Sequence, residues 1–282
     1  VSAAFELYYR DIAAAERLSK SPKQYRSWRK VKERARANFI AVVGDKPIDE
    51  ITRADAQKFW RHWQARVEAG EALPNTAARD FGNMRKLFAE VMRWVDKPDA
   101  PNPFRNLSFT DPAPASRPPF PTSWIAEKFL AGGALAGLNP EARRVLLAMI
   151  ETGARPSELA NLRPDCIRLD AAVPHIRIAP AKGLEIKTRS SIREIPLVGV
   201  SLAAMKAQPE GFPRYFDKPD ALSAALMKYL RENGLLPSAA HGVYSLRHSF
   251  EKRMAEAGLD YGLRCLLMGH KTDRPVYGDG GA

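Results

Sequence analysis

Cysteine is nearly missing. Cys166 and Cys265 are the only two in 282 residues, too few for a disulfide scaffold and without the paired spacing of a zinc site. That usage suits a reducing compartment, and both thiols are expected to be buried packing groups. Long apolar runs are also missing: none approaches the roughly 20 residues that a membrane span requires, so a soluble, cytoplasmic chain without a membrane partner is expected. No internal repeat or low-complexity block occurs. Neither does a compact carboxylate or His/Cys cluster with ligand spacing, which disfavours metal-dependent nuclease chemistry and leaves no cofactor to be expected. The chain opens Val1-Ser2-Ala3-Ala4, with no Met and no Arg-flanked apolar stretch of the signal-peptide kind, and so reads as the start of a fragment.

What is present in excess is positive charge. Lys and Arg outnumber Asp and Glu by 44 to 32, a formal charge of +12, which favours a polyanionic partner but chooses between neither DNA and RNA nor these and a merely soluble basic surface. An apolar fraction of 45% against 27% charged residues is globular composition, and the length suits two packed domains better than one.

Apolar residues recur three and four apart through the first hundred residues, between breaks at Gly44, Pro47, Gly70 and Pro74, which predicts about four helices. Thr52 with Asp55 three residues on marks a helix start, and Phe59, Trp60 and Trp63 follow on adjoining positions that should pack inward. A longer helix is predicted from about Asn75 to Val95, with Phe81, Met84, Leu87, Phe88, Val91 and Met92 on one face. The basic run Arg26, Arg29, Lys30, Lys32, Arg34 and Arg36 wraps another helix. It reads equally as a solvated face or a phosphate-tracking surface, with Arg26, Arg29, Lys30 and Arg34 as the candidate DNA contacts.

Pro112, Pro114, Pro118, Pro119 and Pro121 oppose both helix and sheet, so a linker is placed over residues 111–122, between a helical domain over 1–110 and a second domain over 123–282. The second is expected to be mainly α with a small antiparallel β-sheet. Helices are predicted near Trp124 to Leu130, Glu141 to Glu151, Leu222 to Tyr229, Leu246 to Met254 and Gly262 to Met268, and short strands around Ile176 to Ile178 and Ile192 to Leu197.

The reactive groups of the second half come in a definite order. Arg155 stands in Thr-Gly-Ala-Arg-Pro-Ser-Glu-Leu, Lys187 in Lys-Thr-Arg-Ser-Ser-Ile-Arg-Glu-Ile-Pro-Leu and Arg247 in Tyr-Ser-Leu-Arg-His-Ser-Phe; His270 follows in Met-Gly-His, and then comes Tyr277. In this succession residues 124 to 282 resemble the catalytic domain of the tyrosine recombinases, or phage integrases. The helical first part is similar, more weakly, to that family's core-binding domain, which completes a two-domain clamp around duplex DNA. The resemblance implies that Tyr277 is the nucleophile, giving a 3′-phosphotyrosyl link and a free 5′-hydroxyl without metal or ATP. It further implies that Arg155 and Arg247 grip the scissile phosphate, that His270 hydrogen-bonds it, and that Lys187 protonates the leaving oxygen, with Lys182 as rival.

The residue types suit that chemistry. Phosphoryl transfer gathers charge on nonbridging oxygens that planar guanidinium groups hold through paired hydrogen bonds. A phenol with an ordinary pKa near 10 needs neighbouring positive charge to attack at neutral pH. Glu158, one turn after Arg155, is placed to hold that guanidinium or else to be an ordinary exposed carboxylate. Tyr244 stands where the family's His-x-x-Arg box has its proton-accepting histidine. That role passes cleanly to no residue, although Tyr244, His248 and His241 are the neighbours to weigh; the bland reading of His248 is a packing residue. Tyr261 precedes the Gly-His box and is a poorer nucleophile candidate.

The family's way of working implies a homotetramer synapsing two double-stranded recombination sites, a free monomer, optional DNA-bending accessory proteins, and integration or excision of a bacterial mobile element or prophage. A type IB topoisomerase and a DNA binder that has lost catalysis are the rival readings.

Overall fold

The computed structural model describes residues 1–110, 117–181 and 189–271, the last segment without the Arg189 side chain. The candidates Lys182, Lys187 and Tyr277 lie outside the described residues. The chain divides into two compact units, residues 1–110 falling in one and the later described segments in the other.

The first unit is helical throughout. α1 (Ser2–Leu7) continues through wider turns over Tyr8–Ile12, and α2 (Ala14–Leu18), α3 (Pro22–Val43), α4 (Arg53–Glu68) and α5 (Pro74–Trp94) follow. Capping starts the helices where short polar side chains replace missing intrahelical partners. Ser21 Oγ accepts from the Gln24 amide at 3.1 Å and Gln24 Oε1 from the Ser21 amide at 3.0 Å, with Pro22 in the first helical position, where no amide proton is needed. Thr52 and Asp55 exchange the same pair of bonds at the head of α4, at the start the sequence marks.

The apolar stripes of α3, α4 and α5 meet in an aromatic cluster. Phe59 lies 5.0 Å from Phe81 and 5.3 Å from Phe39, and Phe104 closes on Phe39 at 5.7 Å. Trp60 stays at the margin, stacked on Phe109 at 5.5 Å. Arg85 holds the segment after α5 by donating to the carbonyls of Phe104 at 3.2 Å and Leu107 at 2.6 Å.

In the second unit α7 (Pro140–Thr152) is buried on most of its surface, through Ala142, Val145, Leu146, Ala148, Met149 and Ile150. Ahead of it come α6 (Thr122–Trp124) and wide turns over Ile125–Phe129. Around it pack α8 (Pro156–Ala160), α9 (Gly199–Lys206), α10 (Pro219–Glu232) and α11 (Ser245–Glu256), and α12 (Tyr261–Met268) packs against α11. Among the described residues the sheet is antiparallel, in the order β1 (Ile167–Arg168), β2 (His175–Ile178), β3 (Arg193–Pro196), with Ile176 opposite Ile195 and Ile178 opposite Arg193. Ile176, Ile178 and Ile195 face the core, while Arg177 and Glu194 face out, the alternation of a sheet with one wet side.

Strand and helix positions follow the periodicity to within a few residues. α9 and β1 had no periodic signal of their own. The proline-rich stretch differs from its reading as a connector: Phe120 is buried, its amide donates to Ser249 Oγ at 2.8 Å, and its ring meets Phe129 and His241, each at 5.1 Å. Phe120 therefore belongs to the second core, because prolines that block pairing do not stop an intervening aromatic from being buried. Cys166 and Cys265 are both buried and free, as expected. Among the described residues no helix is long and apolar enough to cross a membrane.

Truncating a ring at the centre of the first aromatic cluster leaves a cavity. Phe59→Ala should cost about 3–5 kcal/mol in denaturant unfolding of the full chain; a loss below about 1 kcal/mol would contradict the packing described.

Candidate active site

Two glycine caps bring the motif residues together. α7 ends at Gly153 with φ 57° and α12 at Gly269 with φ 62°, left-handed turns that an L side chain resists. Neither has room for a Cβ: one on Gly153 would stand 2.5 Å from the Phe250 ring, and one on Gly269 would stand 2.8 Å from Arg193 Nη1. The chain therefore reverses tightly, and Arg155 and His270 emerge beside the start of α11.

That start carries Arg247, 1% exposed. Its Nη1 donates to the Gly153 carbonyl at 2.7 Å, and its Nη2 donates to the Met268 carbonyl and, at 3.1 Å, to His270 Nε2. Since a guanidinium only donates, Nε2 accepts and the imidazole proton sits on Nδ1. Burial, then the charge of Arg155, lowers the Arg247 pKa to about 10, so it remains a cation at neutral pH.

Arg155 caps α8. Its amide donates to Glu158 Oε2 at 2.8 Å, and its Nη1 donates to Glu158 Oε1 at 2.5 Å and Ser191 Oγ at 3.5 Å. Its buried Nε has no partner among the described residues. Glu158 does clasp this guanidinium, and a second arginine comes with it: Arg193, from β3, donates Nη2 to Glu158 Oε2 at 2.9 Å and Nη1 to Oε1 at 3.2 Å. Burial pushes the Glu158 carboxyl up, but bonds and charge from Arg193 and then Arg155 outweigh it and hold the pKa below the ordinary value. Two guanidinium groups share this carboxylate and a third, Arg247, lies near them, a local excess of positive charge that favours an anion.

His270 lies between Arg247 and Glu251, with Nδ1 3.8 Å from Glu251 Oε2. Arg264, from α12, sits 3.8 Å from the same carboxylate. Burial first and Arg247 second lower the His270 pKa, Arg155 and Arg193 add to this, and Glu251 opposes it. His248 is also lowered, by burial and Arg247, and its ring meets that of Tyr244 at 5.4 Å. His241 is turned away, paired with Ser238 Oγ at 2.9 Å and packed on Phe120. Tyr261 heads α12, with Arg264 over its ring at 5.5 Å.

Arg155, Glu158, Arg247 and His270 are therefore brought together, with Tyr244 and His248 alongside. Arg193 and Glu251 are the members that sequence reasoning passed over. The alternation Arg193, Ile195, Leu197 puts a charge on an inward position, a signal that could have found the first; Glu251, one helical turn after Arg247, had only its spacing.

On the first unit, Arg26 and Lys30 are exposed on α3. The other two candidates there, Arg29 and Arg34, each hold an ion pair and stay partly exposed. Arg29 pairs with Glu33 at 2.6 Å and lies over the Tyr9 ring at 4.8 Å. Arg34 grips the fully buried Asp80 at 2.7 Å, whose other oxygen takes Asn38 Nδ2 at 2.6 Å. A buried carboxylate has to be paired, and α3 supplies the partner.

Compared by sequence, the chain matches no protein-family profile and no curated protein. Compared by fold, it superimposes on the integrase of transposon Tn1549 bound to circular intermediate DNA, with a TM-score of 0.61 and 20% identity over 95% of this chain and 92% of that one. It also superimposes on a lambda integrase dimer bound to a core site, with a TM-score of 0.65 and 12% identity over 97% and 92%. The chain has the tyrosine recombinase fold. Within that fold the arginine cluster forms where α7, α8, β3, α11 and α12 end or begin, so backbone carbonyls as well as side chains line it.

With Arg247, Arg155, Arg193, Glu251 and Arg264 as its charged surroundings, His270 should titrate below about 6.5, the ordinary imidazole value. Because the native state then binds fewer protons than the unfolded state, this group's contribution to stability is complete above that value and is lost as pH falls through the lowered one. Glu251→Ala should move the His270 pKa further down in an NMR titration; an upward move would show that the carboxylate does not face the imidazole.

Proposed function

We propose that this protein is a site-specific DNA recombinase that cuts and rejoins strands through Tyr277. The observation that carries the reading is the joining of Arg155, Arg247 and His270 in one electropositive site, in a fold shared with integrases solved on DNA. Arg155 keeps a buried Nε with no partner among the described residues. A phosphodiester fits, since its nonbridging oxygens gain charge in the transition state, where fixed donors act most strongly.

In this reading the Tyr277 oxygen attacks the phosphorus. A phosphotyrosyl ester forms at the 3′ side, the bond to the 5′ oxygen breaks, and that oxygen leaves as a hydroxyl after taking a proton from Lys187. The phenolic proton passes to a neighbouring base or to water; rejoining reverses each transfer. The bond energy is retained in the phosphotyrosine, so neither ATP nor a metal ion is called for. Tyr244, at the head of α11 beside Arg247, donates a hydrogen bond to phosphate.

Arg26 and Lys30 serve as nonspecific phosphate contacts for the first domain (residues 1–110), and the proline-containing stretch joins it to the catalytic domain. The acting form is a homotetramer on two synapsed duplexes, assembled from monomers in the bacterial cytoplasm, with DNA-bending proteins as optional helpers. The biological event is integration or excision of a mobile element or prophage.

Covalent trapping tests the reading. Incubated with a randomised duplex pool and chelator, then denatured, the parent protein should carry linked DNA and Tyr277→Phe none. Equal trapping by both would displace Tyr277 as nucleophile, and tight DNA binding with no adduct from either would favour a binder that has lost catalysis.

A further inference from the structure

Arg193 is part of neither arginine motif, yet its side chain is wholly buried and its donors point three ways. Two go to the Glu158 oxygens, Nε goes to the Leu267 carbonyl at 2.8 Å, and Nη1 also reaches the Ser191 carbonyl at 2.9 Å. It occupies an inward position of β3, opposite Ile178, where an apolar side chain would satisfy the sheet at no cost in desolvation. A guanidinium there calls for a reason beyond packing.

The first consequence concerns Arg155. Glu158 is its sole carboxylate partner among the described residues, and Arg193 binds both oxygens of that carboxylate. Shared in this way, Glu158 holds the Arg155 Nη1 end and leaves Nε unpartnered. Unshared, a carboxylate that close would take the two-pronged pairing that guanidinium and carboxylate favour and would turn the Arg155 guanidinium to suit it. The second consequence concerns His270. Arg193 holds the Leu267 carbonyl in the last turn of α12, and the Gly269 turn runs so close over its Nη1 that a Cβ does not fit. The next residue, His270, then meets Arg247 at 3.1 Å.

We propose that Arg193 is a positioning residue of the recombinase site. It divides Glu158 so that the carboxylate sets the Arg155 guanidinium through Nη1 alone, and it ties α12 to the sheet so that His270 stays on Arg247. The catalytic part of this rests on the reading above; the geometric part does not. Arg193 touches neither substrate nor nucleophile in this scheme, and it acts through Glu158 and the α12 carbonyl.

The test uses the full chain with Arg193→Met, Arg193→Lys, Glu158→Gln and the double Glu158→Gln/Arg193→Met. Arg193→Lys keeps the charge but cannot reach Glu158 and Leu267 together, so it remains informative if Arg193→Met does not fold. In nitrogen-15 NMR of the free protein, His270 should be the Nδ1-protonated tautomer in the parent and lose that selection in both Arg193 variants. On the randomised duplex pool, covalent adduct should form ~100-fold more slowly at saturating DNA, the scale of a misplacement near 1 Å, while affinity for the pool changes less than ~3-fold. The double variant should be no slower than Arg193→Met by more than ~3-fold, because coupled residues are not additive.

An unchanged tautomer, a parent-like adduct rate, or a double variant as slow as the product of the singles would each overturn the proposal. A parent that forms no adduct, but whose His270 tautomer still depends on Arg193, would sink the recombinase reading and leave the positioning role standing. An active parent with indifferent Arg193 variants would do the reverse.

Discussion

A guanidinium removed from water has to have its donors met, and the second unit buries Arg193 and Arg247 outright and most of Arg155. One carboxylate and a few backbone carbonyls are what the fold supplies to meet them. The rest of the site follows from that shortage. Glu158 is held ionised against its own burial, Gly153 presents a carbonyl and Gly269 a close turn, and α7 and α12 end where carbonyls meet the arginines. Removing one member of such a set leaves the others charged and unpaired, which is costlier than the set's net contribution to stability.

The first unit handles buried charge in the opposite sense. Asp80 is an anion with no exposure, balanced by Arg34 and Asn38 on the neighbouring helix, so that charge is neutral within the fold and holds α3 to α5. In the second unit the balance is uneven: Arg155, Arg193, Arg247 and Arg264 stand against Glu158 and Glu251. An excess inside a protein costs stability unless something arrives to balance it, and functional sites are where such costs are kept. Burial first, and neighbouring cations after it, lower the pKa of Arg247, His248 and His270.

Much of this was legible in the residues. The 3.6-residue stripe from Phe81 to Met92 located α5, Thr52 and Asp55 located the start of α4, and the order Arg155, Arg247, His270 singled out the site before any geometry. Other features were not legible. Arg34 looked like a phosphate contact because Asp80, on another helix, is not recognisable as its partner until the helices pack. Phe120 lay hidden among prolines. Arg193 stood in view on an inward strand position, but a lone arginine in a short strand says nothing until Glu158, 35 residues away in sequence, is seen to meet it.

Sequence by itself determined the local structure and the chemical inventory. Helix periodicity, caps and breaks depend on neighbours within a turn or two, and the kinds of group available for phosphate chemistry are there to be read. Tertiary structure alone decided which of those groups share a partner, which proton His270 keeps, and which arginines are closed off by carboxylates. These are matters of a few ångströms between segments far apart in the chain, and burial, which sets their strength, is a property of the packed whole.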